Sequence, residues 1–553
     1  MPTPITTRLQ RAADRGGTSV TFINAGERVT VPWTQVHDEA RSVAAALQAQ
    51  GVAPGDHVAI LGPTSRDLVT TVQACWLAGA ASMVLPLPMR MGSLEEFVAS
   101  TRARIRHGDA RLLVIDDQLA PFYEPVPGDP PTVSLSAVQP GATGLSPDAH
   151  IESAPDPERL VILQYTSGST SEPKGVMIPD RVLGANLDAI TAAAELYDDD
   201  VMVSWLPLYH DMGLVGFLAT PMCFGIDLVL AAPQDFLAHP GHWMEWISEY
   251  RGSVTAGPNF SWVLVTRALK RMRDIDLSSL RVALNGAEPI DPDAVDSFVA
   301  EAQRFGFRPG AVFCAFGMAE VAIGGTFPPP MRGMRCDVVD RVVLEEKRVA
   351  EPADPALDGT RRLPLLGQPV PGLEVRIVEP ATEEELLERQ VGEVLIRGTS
   401  VTPGYYKRPD ATAELLRDGW LHTGDLGYLL DGELVLCGRI KDVIIVGGRN
   451  VFPEDIERAV ATIDGVRAGN VIAFGVDGYK GKESVVVVAE VKSTDVDAIS
   501  RAVHTRVTEA VGLPPREVML VQAGTLPKTS SGKLQRALCK ERYLAEELQL
   551  VGS

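Results

Sequence analysis

Basic residues are scarce relative to acidic ones in this chain of 553 residues. Lys and Arg together number 51 against 72 Asp and Glu, so the formal net charge at pH 7 is −21. Such a surface repels phosphate backbones and anionic lipids, which argues against non-specific binding to nucleic acid or to an anionic membrane. A small polyanionic ligand is not excluded, because a local ring of amides and cations is enough to hold one.

Cysteine is also sparse, and no long apolar run is uninterrupted. None of the six cysteines forms a C-x-x-C pair or has a histidine at metal-ligand spacing, so we expect scattered, buried, reduced thiols, as suits a cytoplasmic protein. The N-terminal stretch has no apolar h-region, so no signal peptide is expected. The most apolar stretch is interrupted by Pro221, Gly225 and Asp227 and falls short of the ~20 clean apolar residues that a membrane helix needs.

The chain is too long for one ordinary hydrophobic core, so two or more domains are expected. In its first third, helical patterns such as DEARSVAAALQAQG and FVASTRARIRH alternate with short β-rich runs such as HVAILG, RLLVIDD and LVILQ. Gly51 is expected to end the first of these helices as its C-cap. The alternation predicts an α/β fold with parallel sheets covered by helices.

The pattern changes near Leu366. The runs EVRIVEP, VGEVLIRG, GELVLCGRI and VIIVGG are strand-like and separated by glycine turns, which predicts a mostly antiparallel β unit. From about Val443 onward two helical patterns flank the strand VVVVAEV, which indicates a small α+β unit. We predict a domain boundary near GRIKD.

A Ser/Thr/Gly-rich loop, YTSGSTSEPKG, follows the apolar run LVILQ. Backbone N–H groups and hydroxyls in such a loop satisfy phosphate oxygens, and Lys174 would add a mobile point charge. The loop is not a Walker A motif, since it lacks G-x-x-x-x-G-K-[ST], so a P-loop NTPase is disfavoured. Taken alone, such a turn is more often a flexible connector.

Further motifs follow this loop: NGAEP (285–289), FGMAE (316–320), TGD ending at Asp425, GRIKD (438–442) and LPKTSSGKLQR. Together and in this order they resemble the signatures of the adenylate-forming superfamily, which includes acyl-CoA synthetases, fatty acyl-AMP ligases, nonribosomal peptide adenylation domains and firefly luciferase. One departure is Ser171, where many members have glycine. A Cβ restricts positive φ there, so the loop tip would be stiffer.

The resemblance implies a large N-terminal domain of helix-covered β-sheets plus a distorted β-barrel over residues 1–438. It also implies a hinge over 439–442, with Lys441 as the hinge residue, and a small mobile α+β C-terminal domain over 443–553. ATP and Mg²⁺ are the implied cofactors. The implied ATP-binding residues are Thr166, Ser167, Gly168, Ser169, Thr170, Gly286, Ala287, Glu288, Phe316, Gly317, Met318, Ala319, Asp425 and Arg439.

The resemblance gives four residues a catalytic part. Glu320 would hold Mg²⁺ on the triphosphate, for which a carboxylate oxygen is suited; the plain alternative is a solvated acid at a strand end. Lys533 would stabilise charge on the α-phosphate and the incoming carboxylate, whereas an exposed lysine is usually only solvated. Lys174 belongs to the phosphate loop. His210 would gate or position the acid, or is simply a hydrogen-bonded histidine at a strand end.

The nucleotide contacts have plain alternatives as well. Phe316 would lie flat on adenine or merely pack in the core. Asp425 would accept both ribose hydroxyls or only form a turn after glycine. Arg439 would donate to the ribose or phosphate side. The acyl pocket would include Pro258, Asn259 and Phe260, unless this segment is a loop on the core, and Gly324 and Gly325 would leave room beside it.

The implied reaction converts a hydrophobic carboxylic acid and Mg·ATP into acyl-AMP and pyrophosphate, after which a thiol takes the acyl group. The segment GGRNVFPEDIE and the other motifs look closest to the fatty acyl-AMP ligase branch, which uses a carrier-protein phosphopantetheine. The 46 residues between Glu320 and Gly367 could be that branch's restraining insertion or a surface loop. Coenzyme A stays open as the alternative acceptor. An amino-acid substrate, a luciferase-like oxidase and a non-catalytic binding protein are disfavoured.

Overall fold

The computed structural model describes residues 2–87, 94–165, 173–446, 449–478, 483–492, 495–529 and 532–551. Thr166, Ser167, Gly168, Ser169 and Thr170 lie outside the described residues, as does Ser171. The α-helices are α1 (Ile5–Arg15), α2 (Trp33–Ala49), α3 (Arg66–Leu77), α4 (Leu94–His107), α5 (Pro140–Thr143), α6 (Asp180–Ala193), α7 (Thr220–Phe224), α8 (Pro233–Ala238), α9 (Gly241–Tyr250), α10 (Asn259–Leu269), α11 (Pro292–Ala302), α12 (Arg341–Lys347), α13 (Pro409–Leu415), α14 (Pro453–Ala461), α15 (Val496–Val511) and α16 (Arg536–Leu544).

The strands fall into two groups along the chain. The first contains β1 (Ser19–Asn24), β2 (Glu27–Pro32), β3 (His57–Leu61), β4 (Ala81–Val84), β5 (Ala110–Ile115), β6 (Thr132–Ser134), β7 (Leu160–Tyr165), β8 (Gly175–Pro179), β9 (Val201–Ser204), β10 (Asp227–Ala231), β11 (Val254–Gly257), β12 (Val282–Asn285) and β13 (Val312–Cys314). The second contains β14 (Phe316–Gly317), β15 (Gly324–Phe327), β16 (Cys336–Asp340), β17 (Thr360–Pro364), β18 (Gln368–Pro369), β19 (Leu373–Val378), β20 (Gly392–Gly398), β21 (Leu416–Arg417), β22 (Trp420–Leu430), β23 (Glu433–Arg439), β24 (Ile444–Val446), β25 (Arg449–Val451), β26 (Val466–Asp477), β27 (Glu483–Val491) and β28 (Glu517–Val521).

Two mostly parallel sheets form the first part of the chain, as the alternating pattern predicts. One has the order β6-β5-β3-β4-β7-β8 and the other β13-β12-β11-β9-β10-β1-β2, and each has an antiparallel edge pair, β7–β8 and β1–β2. Helix α2 ends at Ala49 with Gln50 as its C-cap, so Gly51, at φ 86°, follows the cap rather than forming it. The α/β prediction is confirmed.

An antiparallel sheet follows, in the order β19-β20-β22-β21, and β23 pairs with the second half of β22. Two smaller sheets, β14-β15-β18 and β16-β17, join it, and a bridge from Leu365 to Val435 links the segment after β17 to β23. The prediction that VIIVGG belongs to this unit is wrong. A 3₁₀ turn at Ile440–Asp442 redirects the chain, and Ile444–Val446 pairs with Arg449–Val451 in a separate ribbon.

The last hundred residues have hydrophobic clusters of their own. One side of the sheet β26-β27-β28 packs on α14 and α15 through Ile456, Val487 and Val503, all with no exposed surface. The other side carries Phe474 and Cys539 of α16. The α+β reading of this segment is confirmed, and the domain limits at 438 and 443 stay a prediction.

The segment between Glu320 and Gly367 is ordered structure rather than a bare surface loop. Its helix α12 contributes Leu344 to a cluster that also contains Tyr428 and Val435 of the antiparallel sheet and Phe452 from the start of α14. The segment therefore contacts both the sheet and the C-terminal part of the chain.

The cysteine prediction is confirmed. All six cysteines are free thiols, five of them buried and Cys336 half-buried. Among the helices that the structure describes, none combines the length and the apolarity needed to cross a bilayer.

Candidate active site

Residues from separate motifs line one cavity of about 2320 Å³ between the sheets and the C-terminal part. The predicted site residues on its wall are Lys174, His210, Asn259, Phe260, Gly286, Ala287, Glu288, Phe316, Gly317, Met318, Ala319, Glu320, Asp425, Arg439, Lys441 and Lys533. Pro258, Gly324 and Gly325 are buried but do not line it.

The parallel strands explain why these motifs meet. Strands β9, β11, β12 and β13 are neighbours, and the segments that leave their carboxyl ends carry His210, Phe260, Gly286 and Phe316. Ligands of open α/β sheets bind at this edge, because the loops that follow the strands diverge there. Ala287 has φ 68°, an uncommon conformation for a residue with a Cβ, of the kind that clusters at functional sites.

Glu320 is a buried carboxylate on the cavity wall. The Tyr405 hydroxyl donates to its Oε1 at 2.7 Å. Burial raises the pKa of Glu320, while the Tyr405 hydrogen bond opposes that shift. A second contact fixes the backbone, since the Thr402 amide donates to the Glu320 carbonyl at 2.8 Å.

Tyr405 also reaches the end of the phosphate loop. The Lys174 Nζ lies 5.4 Å from the centre of the Tyr405 ring, within range of a cation–π contact. The segment that holds Tyr405 is pinned to β8, because Met177 donates to the Gly404 carbonyl and Tyr406 donates to the Gly175 carbonyl. One aromatic residue thus contacts both the cation and the carboxylate predicted to face the triphosphate.

Asp425 and Arg439, both predicted to contact the nucleotide, form an ion pair. The Arg439 Nε donates to Asp425 Oδ1 at 2.9 Å, and Asp425 is only 6% exposed. Burial raises the pKa of Asp425, with Arg439 opposing the shift, and the same carboxylate raises the pKa of Arg439. Lys441 lines the cavity next to this pair, and burial lowers its pKa.

Lys533 is turned into the cavity rather than toward solvent. Burial lowers its pKa, and the nearby carboxylates of Asp211 and Glu288 oppose the shift. An added Cβ on the preceding residue, Gly532, would lie 3.8 Å from the Phe260 ring, so this turn sits against the start of α10. The C-terminal part is therefore placed with Lys533 in the site.

His210 pairs with the residue that follows it. Its Nδ1 lies 2.5 Å from Asp211 Oδ1, and the His210 side chain is 18% exposed. Burial raises the pKa of Asp211, but His210, Lys533 and the Met212 amide together bring it below its usual range. His210 is thus hydrogen-bonded and also lines the cavity, and its part in positioning the acid stays a prediction.

The acyl-pocket residues differ in position. Residues 258–260 are not a loop on the core: Pro258 caps α10, and the Phe260 amide donates to Glu288 Oε1 at 2.5 Å. The expectation that two glycines leave open room is wrong. An added Cβ on Gly324 would lie 2.3 Å from Ile190 Cγ2, so that space is filled by Ile190, which itself lines the cavity.

Gly325 is packed in the same way. Its added Cβ would lie 3.1 Å from the Phe316 ring. Open space lies instead beside Gly216, in the π-helical segment Met212–Ala219, where an added Cβ would meet no atom within 4 Å. Phe217 and Leu264 are apolar residues of the same cavity wall.

The carboxylates of Glu320 and Asp425 on the cavity wall fit Mg·ATP. Among the described residues no group of three or more His, Cys, Asp or Glu gathers as a protein cage for a metal. A single buried carboxylate, Glu320, suits Mg²⁺, which is usually held by one or two carboxylates, phosphate oxygens and water. Asp425 has an oxygen beyond the one that binds Arg439, as acceptance of ribose hydroxyls requires.

Sequence reasoning missed several site residues. Asp211 could have been found from its place beside His210. Tyr405 could not, because it lies 85 residues from Glu320 along the chain and no spacing rule links them.

Two mostly parallel sheets, an antiparallel sheet and a separate α+β unit that delivers a lysine to a shared cavity define the class of adenylate-forming ligases. The comparisons agree with the class. Residues 9–406 match the AMP-binding enzyme family, and the chain belongs to that family. Residues 441–553 match the AMP domain of Disco-interacting protein 2-like proteins. The protein is thus an adenylate-forming acyl ligase.

Known relatives cover nearly the whole chain. A putative ligase of Mycobacterium tuberculosis, Rv1013, is 39% identical over 91% of this chain and 93% of its own. The medium-chain-fatty-acid–[acyl-carrier-protein] ligase JamA of Moorena producens is 32% identical over 95% of this chain and 92% of its own. A structure from a study of fatty acyl-adenylate ligases from E. coli and L. pneumophila superposes with a TM-score of 0.91, at 30% identity over 99% of this chain and 98% of that one.

Proposed function

We propose that this ligase activates a hydrophobic carboxylic acid with Mg·ATP and transfers the acyl group to the phosphopantetheine thiol of a carrier protein. The observation that carries the first half is the placement of Lys533 in the same cavity as Glu320 and Asp425. Among the described residues, Lys174, Arg439 and Lys441 line the same space.

In the first step, a carboxylate oxygen of the acid attacks the α-phosphorus of ATP. The bond from that phosphorus to the oxygen bridging to the β-phosphate breaks, and pyrophosphate leaves with the electron pair. Lys533 donates to the oxygens that gain charge, and fixed groups that need no reorganisation give the largest effect. Asp425 and Arg439 hold the nucleotide, which makes the attack effectively unimolecular.

Mg²⁺ would bind at Glu320, where it would supply charge neutralisation on the phosphates. Tyr405 keeps the Glu320 carboxylate oriented, and its ring keeps Lys174 close to the same place.

In the second step, the thiol sulfur attacks the acyl carbon of acyl-AMP, loses its proton and displaces AMP. With Lys533 occupying the cavity, the C-terminal part must first move, and we place the pivot at Lys441, next to the 3₁₀ turn that redirects the chain. Domain-scale movements of this kind gate many multistep enzymes.

Two buried ion pairs oppose this movement. Glu345 of α12, with no exposed surface, pairs with Arg449, and its carbonyl accepts from Asn450 Nδ2 at 2.9 Å. Arg361 lies 3.0 Å from Asp455, and both are buried. Separation of these pairs gives up the attraction between the charges and the hydrogen bonds that they make. A carrier protein has a surface whose binding could offset that cost, whereas coenzyme A has little, and this difference supports the carrier protein as acceptor.

The test of this assignment separates the two steps. Lys533→Ala should lower ATP-dependent pyrophosphate release about 10²–10³-fold, the effect of removing one transition-state donor. Thioester formation from preformed acyl-AMP should persist at near the wild-type rate. Equal loss of both steps would contradict the role of Lys533, and retention of both would contradict the site.

A further inference from the structure

The TGD motif is an irregularity in a strand rather than a simple turn. In the pairing of β20 with β22, Glu393 lies opposite Leu426 and Leu395 lies opposite His422. One residue of β20 therefore faces the three residues 423–425 of β22. Bulges of this kind re-aim side chains and are common beside active sites. Here the bulge turns Asp425 toward the cavity.

A buried carboxylate opposite the bulge holds it in shape. The Gly424 amide donates to Glu393 Oε1 at 3.2 Å, and Glu393 is 7% exposed. Gly424 has φ 70°, so its amide points away from the normal ladder partner and needs another acceptor. Thr423 completes the support, because its Oγ1 donates to the Val394 carbonyl at 2.7 Å and accepts from the Asp425 amide at 3.0 Å.

The other oxygen of Glu393 is held in turn. Glu393 Oε2 lies 3.1 Å from His422 Nδ1, and Arg417 Nη2 lies 2.6 Å from the same nitrogen. Nδ1 can donate to Glu393 or accept from Arg417 but cannot do both. Nδ1 is therefore protonated when it binds Glu393 and unprotonated when it binds Arg417. Either way, Glu393 is surrounded by polar groups that fix its orientation.

From this geometry we infer that Glu393 is a positioning residue for recognition of the nucleotide's ribose: it fixes the bulge at Gly424 so that the Asp425 carboxylate meets the two hydroxyls. The inference rests on the proposed ribose contact of Asp425 and adds to it a residue that touches no part of the nucleotide. The consequence is specific. Loss of Glu393 should weaken binding of nucleotides that carry the ribose hydroxyls and leave others unaffected.

The test measures equilibrium binding of ATP and of 2′,3′-dideoxy-ATP to the full chain by calorimetry, with no acid present. Glu393→Ala should weaken ATP binding about tenfold, as expected for loss of one hydrogen bond that orients a charged group. Its binding of dideoxy-ATP should stay within twofold of wild type. Glu393→Gln should bind both nucleotides like wild type, because its amide oxygen still accepts from Gly424.

Two further variants test the bulge and the ribose contact separately. Thr423→Val is nearly isosteric and should also lose ATP binding selectively, which tests the bulge if Glu393→Ala fails to fold. Asp425→Ala is the reference. If Asp425→Ala leaves discrimination between the two nucleotides intact, the ribose site itself is refuted. If Asp425→Ala abolishes discrimination while the Glu393 and Thr423 variants keep it, or weaken both nucleotides equally, the inference about Glu393 is overturned.

Discussion

Arg439 and Asp425 lie directly opposite each other on adjacent antiparallel strands, with Arg439 Nε 2.9 Å from Asp425 Oδ1. Arg439 is also the last residue of β23, immediately before the 3₁₀ turn at which the chain leaves the sheet. The proposed nucleotide contact and the proposed pivot therefore adjoin. A change in one is expected to affect the other.

Loss of Arg439 should weaken nucleotide binding. Arg439→Ala leaves the buried Asp425 without its ion-pair partner, and we expect the KM for ATP to rise by about 10–100-fold, as for loss of about 1.5–3 kcal/mol from a charged hydrogen bond. Arg439→Lys should show a smaller increase, since lysine keeps the charge but not the planar fork. Steady-state pyrophosphate release measures both variants. A KM within twofold of wild type for Arg439→Ala would refute this role.

The adenylation step should fail at alkaline pH. Burial lowers the pKa of Lys533, so the cation that the step needs is lost as pH rises through a pKa below that of a free lysine. Asp211 opposes the shift, so Asp211→Asn should move the alkaline limb to lower pH. The pH–rate profile of ATP–pyrophosphate exchange measures the limb.

The control for this prediction is the second step. Transfer from preformed acyl-AMP does not need the Lys533 cation, so Asp211→Asn should leave its pH profile unchanged. If the alkaline limb of ATP–pyrophosphate exchange in Asp211→Asn stays at the wild-type pH or moves to higher pH, the role of the Lys533 cation is contradicted.

The pair between α12 and the C-terminal part should limit use of coenzyme A. Glu345→Gln weakens the attraction to Arg449, and we expect the rate of acyl transfer to coenzyme A to rise on the order of tenfold, which corresponds to about 1.4 kcal/mol of lost restraint. Glu379→Gln is the matched control, because Glu379 pairs at 2.9 Å with Arg348, one residue past α12, at a partly exposed position.

An equal increase in both variants would point to a general effect of charge. No increase in Glu345→Gln would show that this pair does not restrain the C-terminal part. Quenched-flow measurement of acyl-CoA from preformed acyl-AMP gives the rate directly.

The architecture and several key residues of the cavity wall can be predicted from the sequence, because both depend on local patterns. Alternating helix and strand signals predict the parallel sheets, and short motifs locate Glu320, Asp425 and Lys533. Contacts between distant segments have no such signal. Glu345 and Arg449 are 104 residues apart, and neither residue type at that distance predicts a pair.

Side-chain packing is the second feature that the sequence pattern does not predict. Small residues near a pocket suggest open room, yet the space beside Gly324 is occupied by Ile190. Whether a glycine leaves a hole or admits a neighbour depends on side chains from other elements. A strand-like run likewise does not reveal its pairing partner. Ile444–Val446 has the same apolar pattern as the strands before it, but it pairs with Arg449–Val451 outside the antiparallel sheet.

The most direct measurement offers the purified ligase both acceptors. Enzyme, Mg·ATP and a panel of fatty acids are incubated with coenzyme A, with a phosphopantetheinylated carrier protein, or with neither, and acyl-AMP and thioester are quantified. We expect acyl-AMP to accumulate with coenzyme A or with no acceptor, and to be converted to acyl-carrier protein thioester. Formation of acyl-CoA as fast as, or faster than, the carrier-protein thioester would contradict the proposed acceptor.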